Sequence, residues 1–186
     1  AKVLFGGYSS TYFHQELLRY PQVDMIIKGD SAEEPLRQLM DALRDGTPLQ
    51  NVPNLSWKDE NGEHHNPITY VPDTLDDGDV DYGWIVRSVI RHRDLKGHMP
   101  FKDWDRYPIT MVFSIKGCPL NCMVCGGSCP AMKRFLNRQR PALRSPEKLA
   151  GDIYNIQQYI KGPTFIVGDL RRYGLEYMGR FSAEVK

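Results

Sequence analysis

The four cysteines of this 186-residue chain all lie between Lys116 and Pro130. Cys118, Cys122 and Cys125 are spaced C-x3-C-x2-C, and Cys129 follows after three more residues. Thiolates are the preferred ligands of zinc and of iron–sulfur clusters, so four of them in one Gly- and Pro-punctuated loop point to a soft-metal site. Structural zinc usually takes two Cys-x2-4-Cys knuckles separated by a longer stretch, so that two turns face each other across a tetrahedral ion. Here the loop is continuous and no second knuckle follows. Three thiolates in quick succession can wrap three corners of a cubane cluster, leaving the fourth iron open to a substrate or cofactor. Two other readings stand beside this one. Cys129 could supply a fourth ligand, to zinc or to an electron-transfer cluster, or the thiols could be inert or paired in disulfides, which the very short spacings favour least.

Regular elements must hold such a loop. Thr110–Ile115 is rich in β-branched and aromatic residues and reads as a strand that delivers the loop from its C-terminal end. In α/β barrels that end is where active sites are built. Ser145-Pro146-Glu147 reads as a helix start, with a cap, a first-turn proline and an acid at the positive end of the dipole. Leu149, Ile153, Ile156 and Ile160 give that helix a buried face, and Lys161-Gly162-Pro163 ends it. Thr164–Val167 is then a second strand closing on Gly168-Asp169, where the acid is a candidate helix cap. Between loop and helix, Lys133, Arg134, Arg138, Arg140 and Arg144 read as a solvated basic run.

The N-terminal part follows the same alternation. Residues 2–5 read as a short buried strand ending at Gly6-Gly7, where the backbone must turn sharply or admit a close neighbour. After Tyr8-Ser9-Ser10, the residues Phe13, Leu17 and Leu18 share a helical face up to about Tyr20, and Pro21 stops it. Val23–Ile27 is the next strand. Ser31-Ala32-Glu33-Glu34 matches a capping box before an apolar stripe of Leu36, Leu39, Met40 and Leu43, with Gly46 as the stop. This β-α-β-α order is the unit of a helix-covered parallel sheet. Two strands bury both sheet faces poorly, so further strands upstream are expected.

Residues 51–106 read as a connector. Asn54–Lys58 and Glu63–His65 form a hairpin closed at Asn61-Gly62, an acidic stretch follows, and Tyr82 to about His92 is helical with Ile85, Val86, Val89 and Ile90 as its stripe. His64, His65, His92 and His98 lack a paired metal-ligand spacing and read as surface residues. Net charge is +1, which gives no field for nucleic acid or an anionic membrane. No apolar run approaches the roughly 18 residues that span a bilayer. A reducing, cytoplasmic setting is expected.

The C-x3-C-x2-C loop resembles the cluster loop of the radical S-adenosylmethionine (SAM) enzymes. That resemblance implies a [4Fe–4S] cluster on Cys118, Cys122 and Cys125, with SAM chelated at the open iron and reductively cleaved to methionine and a 5′-deoxyadenosyl radical. The residue before the third cysteine, usually an aromatic that packs near the adenine, is Val124 here. Gly168 and Asp169 match in part the strand-end element that holds the SAM amino group, and one arginine of the basic run could face the SAM carboxylate. Residues 1–50 look like the C-terminal part of the Rossmann-like cobalamin-binding domain of one large subclass. In that domain Gly6, Gly7 and Ser9 or Ser10 would lie near the cobalamin nucleotide tail. Its usual Gly-Glu-Gly-Glu is Gly29-Asp30-Ser31-Ala32-Glu33 here, a partial departure.

The implied fold class is α/β: a partial cobalamin-type domain over 1–50, a connector over 51–106 and the first βαβ unit of a radical SAM barrel over 107–186. On this reading the chain is an internal segment of a longer enzyme and inactive by itself. The implied chemistry is cobalamin-dependent methyl transfer, with methylthiolation or rearrangement as alternatives in the same superfamily. A four-cysteine metal-binding module is the non-catalytic alternative. The implied partners are small-molecule cofactors and an electron donor such as flavodoxin or ferredoxin, with no nucleic acid and no membrane.

Overall fold

The computed structural model describes residues 1–78, 81–94 and 99–185. In chain order the first elements are β1 (Leu4–Gly6), α1 (Tyr8–Tyr12), α2 (His14–Leu18), β2 (Met25–Ile27), α3 (Glu33–Asp45), β3 (Leu55–Asp59) and β4 (Gly62–His65). They are followed by α4 (Tyr82–His92), β5 (Thr110–Phe113), β6 (Ile115–Lys116), α5 (Cys129–Leu136) and β7 (Ala142–Leu143). The last are α6 (Pro146–Tyr159), β8 (Thr164–Val167) and α7 (Leu175–Glu184). The class is α/β, as expected. The chain forms two compact units: residues 1–73 with 117–141, and the described residues of 74–116 with those of 142–186.

The first unit is a four-stranded sheet in the order β1-β2-β3-β4. Strands β1 and β2 are parallel, in the register Leu4↔Met25 to Gly6↔Ile27, as the β-α-β-α order requires. The hairpin β3-β4, read from sequence as part of a connector, adds antiparallel to β2 with Met25 opposite Trp57 and supplies strands that the N-terminal stretch lacks. Because side chains alternate along a strand, β2 feeds two cores. Met25 and Ile27 pack with Leu39, Ala42, Val52, Leu55 and Trp57, whereas Ile26 packs with Leu18 and Val23.

Several local expectations are corrected by this packing. The helix expected up to Tyr20 is two short helices that share Phe13 as C-cap of one and N-cap of the other. The N-cap of helix α3 is Ala32, one residue after the Ser31 of the expected capping box. Its buried face is Pro35, Leu39 and Ala42, while Leu36, Met40 and Leu43 of the expected stripe are exposed. Gly46 does end the helix, in the left-handed conformation expected of a C-cap. The hairpin turn is centred one residue earlier than expected, because Asp59 pairs with Gly62 and its carboxylate accepts from the Asn61 N–H at 2.8 Å.

In the second unit β5 and β8 are parallel, in the register Thr110↔Thr164 to Phe113↔Val167. Strands β6 and β7 form a separate two-residue antiparallel pair, so the expected strand 110–115 is divided at the buried Ser114. Helix α6 begins as the sequence indicates, with Ser145 as N-cap accepting from the Lys148 N–H and Pro146 in the first turn. Its Leu149 and Ile156 form a core with Val112, against which Ile153, Ile160, Tyr82 and Ile166 pack. On α4 the buried residue is Gly83, and Ile85 and Ile90 of the expected stripe are exposed.

Candidate metal and cofactor site

Within the first unit the loop's entry and exit are pressed together. Gly117 has φ +96°, and a Cβ there would lie 2.8 Å from Arg138 Cδ and 3.1 Å from Pro141 Cα, so only glycine fits. Arg138 is not part of a solvated run. Its side chain is 1% exposed and forks onto the equally buried Asp30, with Nη2 donating to Oδ1 at 2.9 Å and Nε to Oδ2, while Nη1 donates to the Pro72 carbonyl at 2.9 Å. Arg144, in the second unit, is buried in the same manner against Asp152, with Nε and Nη2 donating at 2.6 and 2.7 Å. Arg140 alone of these three is exposed, paired with Asp73. Two arginines of the run are therefore internal struts, because each meets a carboxylate that neutralises it and both lose water together.

Inside the loop the backbone makes tight turns. The Cys125 N–H donates to Cys122 O at 3.3 Å, that of Ser128 to Cys125 O at 3.1 Å, and that of Cys129 to Leu120 O at 2.8 Å. The Leu120 N–H donates to Cys118 Sγ at 3.4 Å, a contact suited to a thiolate. All four cysteines are free, which overturns the disulfide reading; Cys122 and Cys125 are exposed, Cys118 and Cys129 half-buried. Cys129 is the first residue of α5. Val124 is 98% exposed, open to a ligand and packed on nothing. The donor set fits an iron–sulfur cluster or another soft metal by chemistry, exposure and closely spaced turns. Among the described residues no three His, Cys, Asp or Glu side chains are gathered closely enough to hold an ion.

Gly6, Gly7 and Ser9 are exposed at the C-terminal end of β1. Helix α1 fixes this turn: the Thr11 N–H and hydroxyl both donate to Gly7 O, at 3.0 and 2.9 Å, and the Gly29 N–H donates to Thr11 Oγ1 at 2.9 Å. The next residue, Tyr12, donates its phenol to Gly126 O at 2.7 Å and sets its ring edge-on to Phe135 of α5 with centroids 4.9 Å apart. Burial, with the Cys125 charge as a smaller cause, raises the Tyr12 phenol above the ordinary tyrosine range. No local motif marks Tyr12, whose partner lies 114 residues away.

Gly168 and Asp169 belong to the second unit. Gly168 has φ +127°, and a Cβ would lie 2.7 Å from Tyr173 Oη and run into Ser114 Oγ. Ser114 Oγ donates to Val167 O at 2.9 Å and lies 3.2 Å from Tyr173 Oη, so the strand end is knit to β5. Asp169 caps the 3-10 turn Leu170–Tyr173 by accepting from the Arg171 N–H. Its carboxylate also accepts from the Arg171 side chain at 2.8 and 3.0 Å, and chiefly for that reason its pKa is held down to about 2.

Of the four histidines read as surface residues, His64 is half-buried and His65 exposed. His64 stacks on Trp57, with centroids 4.8 Å apart, and lies 2.9 Å from Asp59. His65 lies 3.2 Å from Ser56 Oγ and edge-on to His14, and burial followed by the His14 charge lowers its pKa. His92 is exposed, and His98 lies outside the described residues.

With this geometry in place the chain can be set beside known proteins. No family profile matches it. An uncharacterized methyltransferase of Pyrococcus horikoshii is 27% identical over 134 residues, which is 72% of this chain and 27% of that protein. The cobalamin-dependent SAM radical enzyme OxsB, solved with aqua-cobalamin and SAM, aligns over 97% of this chain and 24% of its own length at TM-score 0.67 and 17% identity. The radical SAM methyltransferase TsrM from Kitasatospora setae, solved with tryptophan and a SAM analogue, aligns over 99% of this chain and 32% of its own at TM-score 0.60 and 15% identity. The chain thus has the fold of part of these enzymes and spans about a quarter to a third of their length. Among the described residues no helix is long and apolar enough to cross a membrane.

Proposed function

We propose that this chain is the part of a cobalamin-dependent radical SAM methyltransferase that carries the cluster loop. The observation behind the proposal is the C-x3-C-x2-C loop of free, accessible thiols, within a chain whose fold follows OxsB over 97% of its length. Cys118, Cys122 and Cys125 would hold a [4Fe–4S] cluster as thiolates, with the Leu120 N–H supporting charge on Cys118. The bound cluster supplies one electron for reductive cleavage of SAM, and cobalamin a carrier for the methyl group. Val124 offers an uncovered apolar side chain to an adenine. The exposed Gly6, Gly7 and Ser9 leave room for a cobalamin tail. Gly168 ends β8 in a conformation only glycine fits beside Ser114 and Tyr173, and Asp169 keeps an ionised carboxylate next to it. The electron would come from a donor such as flavodoxin or ferredoxin in a reducing cytoplasm. Methylthiolation or rearrangement, begun by the same radical chemistry, are the alternative reactions.

The test is iron and acid-labile sulfide content after anaerobic reconstitution, with EPR of the reduced sample before and after SAM. The expected result is about four irons per chain and a spectrum that SAM changes. Cys118→Ala should lose the cluster and Cys129→Ala should keep it. Zinc in place of iron, or metal lost on replacing Cys129, would establish the four-thiolate module instead.

A further inference from the structure

The molecule ties the Gly6-Gly7 turn to the cysteine loop through two adjacent residues of one short helix. Thr11 bonds the Gly7 carbonyl and the Gly29 N–H, both at 2.9 Å, and so fixes α1 to the ends of β1 and β2. Tyr12, next in the chain, reaches the other way: its phenol donates to the carbonyl of Gly126, immediately after Cys125, at 2.7 Å. Its ring meets Phe135 edge-on at 88°, which holds the phenol in line. The loop's far end is anchored separately by Arg138 on Asp30. The span Cys122–Gly127 between these anchors is exposed or only half-buried, so little packing competes with a single hydrogen bond for its position.

We propose that Tyr12 is a positioning residue that sets the Cys125–Gly126 backbone against the Gly6-Gly7 turn, so that the thiolate loop and that turn move as one body. The loop's internal bonds tie Cys125 to Cys122 and Cys129 to Leu120, and the Tyr12 bond adds a tether from this span to α1; cluster ligation tolerates little drift. The proposal rests on the cluster reading for its purpose but not for its geometry, and its first test needs no cluster. Replacing Tyr12 with Phe removes one oxygen and leaves the edge-on ring contact in place.

In the full chain, amide hydrogen exchange read residue by residue should quicken about two- to tenfold at Cys125, Ser128 and Cys129 in Tyr12→Phe, the range a single net hydrogen bond supports. The Leu39 amide in α3 should be unchanged. Unchanged loop amides would overturn the proposal, and so would equal acceleration at Leu39, which would mark Tyr12 as a general stabiliser. After reconstitution, the variant should bind iron but give a reduced-cluster EPR signal altered from that of the wild type; an identical signal also overturns the proposal. Failure of the wild type to take up iron would instead sink the cluster reading and leave the exchange result standing.

Discussion

Arg138 shows what a single side chain does in this protein. Its guanidinium is buried, and the fork it makes with Asp30 joins positions 108 residues apart at the exit of the cysteine loop. A buried pair of this kind adds little over an apolar replacement, but breaking it strands a charge at a cost of about 3–5 kcal/mol. Arg138→Met should therefore destabilise the chain by about that amount in urea unfolding, and adding Asp30→Asn to it should recover most of the loss. A single variant as stable as the wild type would show that the pair is open to water. From sequence, Arg138 is one of five basic residues in a polar run, and no local pattern separates it from the exposed Arg140. The distinction comes from partners far away in the chain.

At the level of elements, the strand ends and loop edges are set by close approach. The end of β8 depends on Gly168, where positive φ and the crowding of Ser114 and Tyr173 exclude a side chain. Gly168→Ala should cost about 1–3 kcal/mol from backbone strain alone, more if Tyr173 cannot move, read as a lowered melting temperature. No loss of stability would mean that the strand end relaxes freely. Helix α6 needed no such help to be read, because its Ser-Pro-Glu start and Leu149–Ile156 face are local signals. Helix α3 is the contrary case. Its stripe suggests a rotation that the sheet does not accept, since Ala42 rather than Leu43 faces Met25 and Trp57.

For the whole molecule, charge and exposed apolar surface act together. The net charge is +1 and the isoelectric point about 7.9. Beside that weak repulsion stand exposed Val3, Leu4 and Phe5 on and before edge strand β1, and exposed Leu36, Met40 and Leu43 on α3. Solubility of the cofactor-free chain should therefore pass through a minimum near pH 8, about its isoelectric point, and recover as pH moves away on either side. A concentration series of light scattering across pH checks this; flat solubility would show that apolar association, not charge, is in control.

The cysteine spacing, the strand that precedes it, the α6 cap and the β-α-β-α order were legible because each is a short-range pattern. Of these, the cysteine spacing is the one that points to soft-metal chemistry. What only the tertiary structure decided was which unit those residues join: the hairpin completes the first sheet, and residues 117–141 pack with residues 1–73 rather than with the strands that flank them in sequence. It also decided that Arg138 and Arg144 are buried and that Tyr12 holds Gly126. These depend on hydrogen bonds and ion pairs between residues distant in the chain. The two arginine pairs depend on burial as well, and burial is a property of the folded whole.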